Sequence, residues 1–164
     1  MNSIFQILAG IASVIWTSSH STSKIIDYAH EYLPVLPSEI PHILCGSLAV
    51  GAFYWARDET FKIITQVYAP AMFIKATLIP ITIVPDANPL CTQLHPLNCL
   101  TRNDMLPSGH MLIAISAAMA LKTYWAYTLA TLGGIALVAS RMHYTVDVTL
   151  SIWLCVLLKQ NGMA

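Results

Sequence analysis

Two short strings in the second half of the chain carry the side chains best suited to catalysis. The first, Leu106 to His110, ends in a histidine; the second, Ser140 to Asp147, contains His143 four residues before its aspartate. On a helix, residues four apart share a face, so the Asp147 carboxylate can accept a hydrogen bond from the imidazole and orient it. An oriented imidazole can act as a nucleophile or a general base. The simpler alternative is a structural helix pair.

The first string has the features of a loop-to-helix junction. Ser108 can cap the helix, Gly109 allows the backbone to approach a ligand, and His110 lies in the first turn. Amide groups at the start of a helix bind anions well. With cations nearby, such a site would hold a phosphate-sized dianion while two histidines exchange protons and phosphorus.

Lys75 and Arg141 are the cations that we expect near this junction. For Lys75 the alternative is a stem that extends its ammonium to a membrane interface, because lysine commonly does so. Arg102 could also contribute, but we prefer to interpret it as a solvated loop charge.

The composition predicts the environment of these residues. Of the 164 residues, 56% are hydrophobic and 10% are charged, and the mean hydropathy is +0.63. Such a chain does not fit an ordinary soluble domain. We therefore predict an all-α, integral membrane bundle of about six transmembrane helices of roughly 17 to 20 residues each, in a single membrane domain over residues 1–164. The formal net charge is zero, so nucleic acid is not an expected partner.

Charged and proline-rich clusters separate the apolar runs and set the predicted spans. The spans are Ser3–Thr17, His42–Trp55, Phe61–Pro85, Ser108–Trp125, Ala126–Ser140 and His143–Leu158. The first is short and could be a signal peptide, but it lacks a positive start, so we favour a retained helix. The long loop over 86–106 contains Cys91 and Cys99, which could form a disulfide or remain two free thiols. Cys45 and Cys155 are predicted to be buried.

The spans before and after the turn near Lys122 have similar lengths, so the later span should return the chain to the level at which the earlier one began. His110 and His143 are therefore expected at the same depth and on the same side. Most other cations fall on the opposite side: Arg57, Lys62, Lys122 and Lys159. The positive-inside bias then places the histidines on the lumenal or extracytoplasmic face.

At these residues the chain resembles the type 2 phosphatidic acid phosphatase superfamily. The shared pattern is a Pro-Ser-Gly-His motif and a later Ser-Arg…His-x3-Asp motif, and the resemblance covers residues 72–153. Within the superfamily the chain is more similar to the sphingomyelin synthase branch, because Asp104 lies six residues before His110 and the second motif is compact. Lys75 stands where that branch usually has arginine. Thr82 replaces the arginine that phosphatases place seven residues after the lysine.

The resemblance implies a lipid phosphotransferase that moves a phospho-headgroup between lipids. Its catalytic residues would be His110, His143 and Asp147. The substrate-binding residues implied are Lys75, Asp104, Ser108, Gly109 and Arg141. In this hypothesis His143 attacks phosphorus, His110 protonates the leaving alkoxide, and a lipid alcohol or water resolves the phosphohistidine. We expect membrane lipids as partners, and neither a metal nor another cofactor.

Three alternatives remain open from the sequence. A lipid phosphate phosphatase would use the same residues with water as the acceptor. A metal-dependent enzyme could use His110, His143 and Asp147 as ligands, although no His/Glu cluster accompanies them. A transporter or scaffold could also need charges within a membrane. The remaining histidines lie in connectors or at span ends and receive no assigned role: His20, His30, His42 and His95.

Overall fold

The computed structural model describes residues 26–78 and 106–162, and this part of the chain is helical, without strands. Its helices are α1 (Tyr28–Tyr32), α2 (Glu39–Trp55), α3 (Arg57–Ile63), α4 (Ala69–Leu78), α5 (Gly109–Leu121), α6 (Tyr124–Ala139) and α7 (Thr145–Asn161). The all-α prediction is confirmed for these residues. The first predicted span, the cysteine loop and Asp104 lie outside them.

Five of the predicted spans correspond to helices. The second span is α2, the third begins near the end of α3 and contains α4, and the last three are α5, α6 and α7. Helix α3 starts earlier than the span, at Arg57, in a charged cluster that was predicted to be a turn. Within the two described segments, however, none of the helices has both the length and the apolar character that crossing a membrane requires.

Two helix starts differ from the predicted boundaries because of local capping. The turn after α5 places Lys122 in the left-handed region, with φ 53°, and the Thr123 hydroxyl accepts a hydrogen bond from the Ala126 amide at 3.3 Å. Helix α6 therefore begins at Tyr124 instead of Ala126. Helix α7 begins at Thr145, so His143 lies in the preceding turn and not on the helix.

Helix α5 is the centre of the bundle. It packs against α2, α3, α6 and α7, and it is apolar around its whole circumference, as a helix enclosed by others should be. Small side chains allow this close approach. A Cβ atom added at Gly134 of α6 would lie 3.1 Å from Val148 and 3.3 Å from the Met111 sulfur atom. Glycine there lets α6 contact both α5 and α7.

A π-helical turn over Ile64–Tyr68 joins α3 to α4 without a break in the helical chain. The Ala69 amide donates to the Ile64 carbonyl, five residues earlier, just before Pro70. A wider turn accommodates a proline, which lacks an amide proton and crowds the preceding turn of a regular α-helix. The extra residue also changes the rotation of α4, which carries Lys75.

The chain passes back and forth between two ends of the bundle. We call one the histidine end, which contains His30, His42, His110 and His143. The other is the charged end, where the Lys122 ammonium lies 2.8 Å from the Glu59 carboxylate and Lys62 and Lys159 lie near the same carboxylate. The out-and-back course predicted from helix lengths is therefore observed in the described residues.

Candidate active site

His143 and Asp147 are held together by the turn that starts α7. The Asp147 carboxylate accepts a hydrogen bond from the Tyr144 amide at 2.8 Å, which folds the turn back over the helix start. The same carboxylate oxygen lies 3.6 Å from His143 Nδ1. Asp147 is 0% exposed and His143 is 6% exposed. The predicted pairing is thus found, but a capping turn produces it instead of a shared helical face.

The separation of 3.6 Å is longer than a direct hydrogen bond. Catalytic hydrogen bonds often shorten only when substrate is bound. With Nδ1 beside the carboxylate, Nε2 is the ring nitrogen of His143 that can face a substrate. Asp147 favours the tautomer, or the charged form, that carries a proton on Nδ1.

The start of α5 is fixed to the start of α7. The Ser108 hydroxyl accepts from the Met111 amide at 3.3 Å, as predicted for a capping serine. The Ser151 hydroxyl lies between the two helices, 2.7 Å from the Asp147 carbonyl oxygen and 3.2 Å from that of Ser108. Both serines are fully buried. Ser151 was missed in the sequence, where it is one more small residue in an apolar run.

This arrangement brings the two predicted catalytic rings together. The centroids of His110 and His143 lie 6.1 Å apart, with the ring planes at 62°. His143 is buried and His110 is half-buried, so the two imidazoles border a site that is partly closed to solvent. Their proximity agrees with the prediction from helix lengths that His110 and His143 lie at the same depth.

A third imidazole, which the sequence interpretation left without a role, adjoins this pair. His42 Nδ1 lies 2.9 Å from His110 Nε2, and the ring centroids are 4.7 Å apart. His42 is in the first turn of α2 and is exposed. The signal that could have found it is the span count, which puts the start of the second span at the same end as His110.

Lys75 reaches the Pro107-Ser108-Gly109 junction from α4. Its side chain is 1% exposed, and its ammonium donates a hydrogen bond to the Pro107 carbonyl oxygen. A Cβ atom added at Gly109 would lie 3.8 Å from Lys75 Nζ. Lysine is rarely buried unless its charge is compensated, so its position at a helix start suits an anion site. The alternative from the sequence, in which the Lys75 ammonium extends to a membrane interface, does not describe this buried side chain.

Arg141 is located beside the site, and its hydrogen bonds are directed at α1. Its guanidinium donates to the carbonyl oxygens of His30 and Leu33, the latter at 3.1 Å. Arg141 has φ 60°, in the left-handed region that residues other than glycine seldom adopt. Its role as a phosphate ligand stays a prediction.

Asp27, just before α1, and His30, within α1, hold this helix against the start of α7. The Asp27 carboxylate accepts hydrogen bonds from the Thr145 amide at 2.6 Å and the Thr145 hydroxyl at 3.0 Å. Burial raises the pKa of Asp27, but the hydrogen bonds from Thr145 and Ala29 outweigh it, so the pKa is lowered overall. His30 Nε2 lies 3.1 Å from the His143 carbonyl oxygen.

The geometry supplies the parts needed for phosphoryl transfer. One imidazole has a carboxylate behind it, a second faces it, and a buried ammonium lies at the start of a helix. Among the residues that the structure describes, no group of three or more histidine, cysteine or acidic side chains is arranged to hold a metal ion.

Residues 101–160 match the family model of the PAP2 superfamily C-terminal region. The match supports the PAP2 superfamily assignment. It covers both strings from which the chemistry was inferred and extends through α5, α6 and most of α7. No curated protein and no solved structure matches the chain.

Members of the PAP2 superfamily are phosphatases and phosphotransferases that act on lipid phosphates, so the region that matches resembles part of an enzyme family. Lys75, His42 and α1 lie outside the matched region, so their contribution to the site is known from the structure. The match does not distinguish the sphingomyelin synthase branch from others.

Proposed function

We propose that this protein is a lipid phosphotransferase that moves a phospho-headgroup between membrane lipids, as in the sphingomyelin synthase branch. The observation that carries the proposal is the pair of imidazoles of His110 and His143, whose ring centroids lie 6.1 Å apart. The Asp147 carboxylate lies beside Nδ1 of His143. A nucleophile and a proton donor on opposite sides of a phosphorus atom are the arrangement that in-line displacement requires.

In the first step, His143 Nε2 attacks the phosphorus of the donor lipid and forms an N–P bond. The P–O bond to the donor alcohol breaks, and protonated His110 gives its proton to the leaving oxygen. Asp147 stabilises the positive charge that develops on the His143 ring. In the second step an acceptor alcohol attacks the phosphohistidine, His110 takes the acceptor's proton, and the N–P bond breaks.

Binding of the phosphate would use the α5 start. The first amide groups of a helix lack partners within it, and the local dipole favours an anion. Lys75 adds a buried positive charge there, and the absence of a side chain at Gly109 leaves room for a phosphate oxygen to approach. Asp104 and Arg141 are further proposed contacts.

The proposed location is a lipid bilayer, with the histidine end at the lumenal or extracytoplasmic face. Exposed large apolar residues support this proposal, because a bundle in water rarely exposes so many. Several aromatic ones lie near the charged end: Tyr54, Trp55, Tyr124 and Trp125. Aromatic rings and cations together are typical of the cytoplasmic interface of membrane proteins. Resistance of the protein to alkaline extraction from membranes would test this location.

The deciding experiment traces the phosphate group from the donor lipid to the product. Purified protein is incubated with a panel of phospholipids labelled in the phosphate group, together with diacylglycerol and ceramide as acceptors, and every phosphorus-containing product is identified by mass spectrometry. We expect the label in a new lipid. Label released as free phosphate or a free phospho-headgroup would instead assign the site to hydrolysis, with water as the acceptor.

The residue assignment is tested in the same assay. His143→Ala and Asp147→Asn should abolish turnover while each variant elutes from size exclusion as the wild type does. Ser47→Ala is the control, since this exposed hydroxyl bonds only to its own helix in the described structure, at the Leu44 carbonyl. Full activity of both site variants would refute the mechanism. Inertness of the wild type toward every lipid, with substrate counterflow in vesicles, would favour a transporter.

A further inference from the structure

The contact between His42 and His110 has no role in the reaction described above. His42 Nδ1 and His110 Nε2 lie 2.9 Å apart, which is hydrogen-bonding distance. One of the two nitrogens must therefore carry the proton that the other accepts. A bond of this kind between two imidazoles is a route along which a proton can move.

The three rings at this end form a series that runs from solvent to the interior. His42 is exposed, His110 is half-buried, and His143 is 6% exposed. The centroid distances along the series are 4.7 Å and 6.1 Å. The reacting phosphate is proposed to bind at His110 and His143, whereas His42 and His110 are joined by a direct hydrogen bond.

Because Nε2 of His110 is bonded to His42, Nδ1 of His110 is the nitrogen left to face the substrate. Each half of the proposed reaction changes the protonation of His110: it loses a proton to the leaving alkoxide and regains one from the acceptor. The acceptor, whether an alcohol or water, supplies that proton only when it attacks the phosphohistidine, so while acceptor binding is slow His110 can exchange a proton with solvent. Imidazole is suited to this exchange because its ordinary pKa is close to neutral pH.

We propose that His42 is a proton relay that carries protons between solvent and His110. A proton on one nitrogen of His42 passes through the hydrogen bond to His110 Nε2 while His110 Nδ1 gives its proton to the substrate. The reverse transfer returns the proton to solvent. This proposal rests on the proposed function of the His110–His143 pair. It makes His42 a residue that acts through His110 and does not touch the phosphate.

The charged and titratable groups around His110 do not offer the same path. Lys75 and His143 are its other charged or titratable neighbours, and both are buried. His30, the other histidine at this end of the described structure, bonds to the His143 carbonyl oxygen and stacks on Tyr144 at 5.4 Å. Within the described residues, His42 joins His110 to the surface.

The test compares two substitutions of His42 by their response to added imidazole. His42→Ala removes the relay, whereas His42→Gln keeps a side chain that can hydrogen-bond to His110 but cannot carry a proton at neutral pH. For both variants we expect kcat to fall by about tenfold or more, within the range of general acid–base contributions, with KM little changed. In His42→Ala, free imidazole should restore kcat in a concentration-dependent manner.

Imidazole should leave the wild type and Ser47→Ala unaffected. If His42→Gln has wild-type kcat, or if imidazole does not rescue His42→Ala, the contact only positions His110 and the relay is refuted. These results are distinct from failure of the proposed function. That failure would appear as an inactive wild type, or as activity that survives His143→Ala.

Discussion

The two ends of the bundle hold their charged groups in opposite ways. At the charged end, Lys122 and Glu59 pair at 2.8 Å with side chains that are 58% and 40% exposed. At the histidine end, Lys75 and Asp147 are almost completely buried, and each bonds to a backbone group: Lys75 to the Pro107 carbonyl and Asp147 to the Tyr144 amide of its own capping turn. One end has a solvent-exposed ion pair, and the other has buried ionisable groups that the fold must compensate.

Burial of these groups costs free energy that a purely structural bundle would avoid. An exposed ion pair contributes little, whereas an isolated buried charge is strongly disfavoured without partners. Natural proteins concentrate such groups at functional sites, where a fixed charge in a dry pocket acts strongly on a substrate. The difference between the ends therefore indicates where this molecule performs chemistry, and substitutions at matched positions can test it.

The largest expected contrast is between the two carboxylates. Asp147→Asn should lower turnover by about a thousandfold or more, comparable to loss of the orienting carboxylate in hydrolytic triads. The amide keeps the side-chain volume, so folding should survive. Glu59→Gln, at the charged end, should retain wild-type turnover. Equal losses in both variants, measured by initial rates with a labelled phospholipid, would remove the distinction between the ends.

The second contrast concerns the two lysines. Lys75→Met should reduce kcat by roughly a hundredfold, because it removes one positively charged donor from the proposed phosphate site. Methionine fills a similar space and ends the cost of burying a charge, which offsets the lost hydrogen bond to Pro107, so the thermal midpoint should change little. Lys122→Met should leave kcat unchanged. Normal kcat in Lys75→Met would mean that Lys75 only supports the Pro107 carbonyl oxygen, to which it donates.

Much of the arrangement behind these contrasts could be predicted from local sequence. The apolar runs indicated α2 and α4 to α7 but not α3, Ser108 was recognised as a cap, and similar helix lengths brought His110 and His143 to the same end. These features depend on residues close together in the chain, or on simple counting along it. Lys75 was placed near the site by the same counting.

The rest depended on contacts between distant segments. His42 and His110 are 68 residues apart, and their contact arises from the packing of α2 on α5, which no local pattern encodes. The Arg141 guanidinium donates to carbonyl oxygens of His30 and Leu33, which are distant in the chain, and Arg141 has a left-handed backbone although its turn contains no glycine. His143 was placed on a helix because the capping turn formed by Asp147 was not anticipated.

The third prediction compares two serines. Ser151→Ala removes a buried hydroxyl that bonds to carbonyl oxygens of both Asp147 and Ser108. We expect a loss of about 0.5–1.5 kcal/mol in unfolding free energy, the net contribution of a typical hydrogen bond, because the Ser108 carbonyl oxygen still accepts from the Leu112 amide. Turnover should fall as well, because α5 and α7 carry the two rings. Ser47→Ala should change stability by less than about 0.5 kcal/mol, as exposed substitutions usually do. Denaturant unfolding in detergent would measure both.

The fourth prediction concerns the attachment of α1 under acid. The pKa of Asp27 is lowered in the folded protein, so its carboxylate stabilises the contact with Thr145 above the ordinary value of 3.8. The stabilisation should be lost as pH falls through the lowered pKa. We expect amide exchange in α1 to be slower in the wild type than in Asp27→Asn at pH 7. The two should converge below about pH 3.8. Equal amide exchange in the two proteins at pH 7 would assign the attachment to His30 and Arg141 instead.

The smallest expected effect is on stability at the charged end. Hydrogen bonding and attraction from Lys122 lower the pKa of Glu59, yet the pair is open to solvent. Glu59→Gln should therefore leave the unfolding free energy almost unchanged, and any loss should be smaller at high salt. Thermal unfolding at low and high ionic strength measures this. A loss comparable to that of Ser151→Ala would mean that the charged end also depends on fixed electrostatic contacts, and the contrast between the ends would then be one of activity alone.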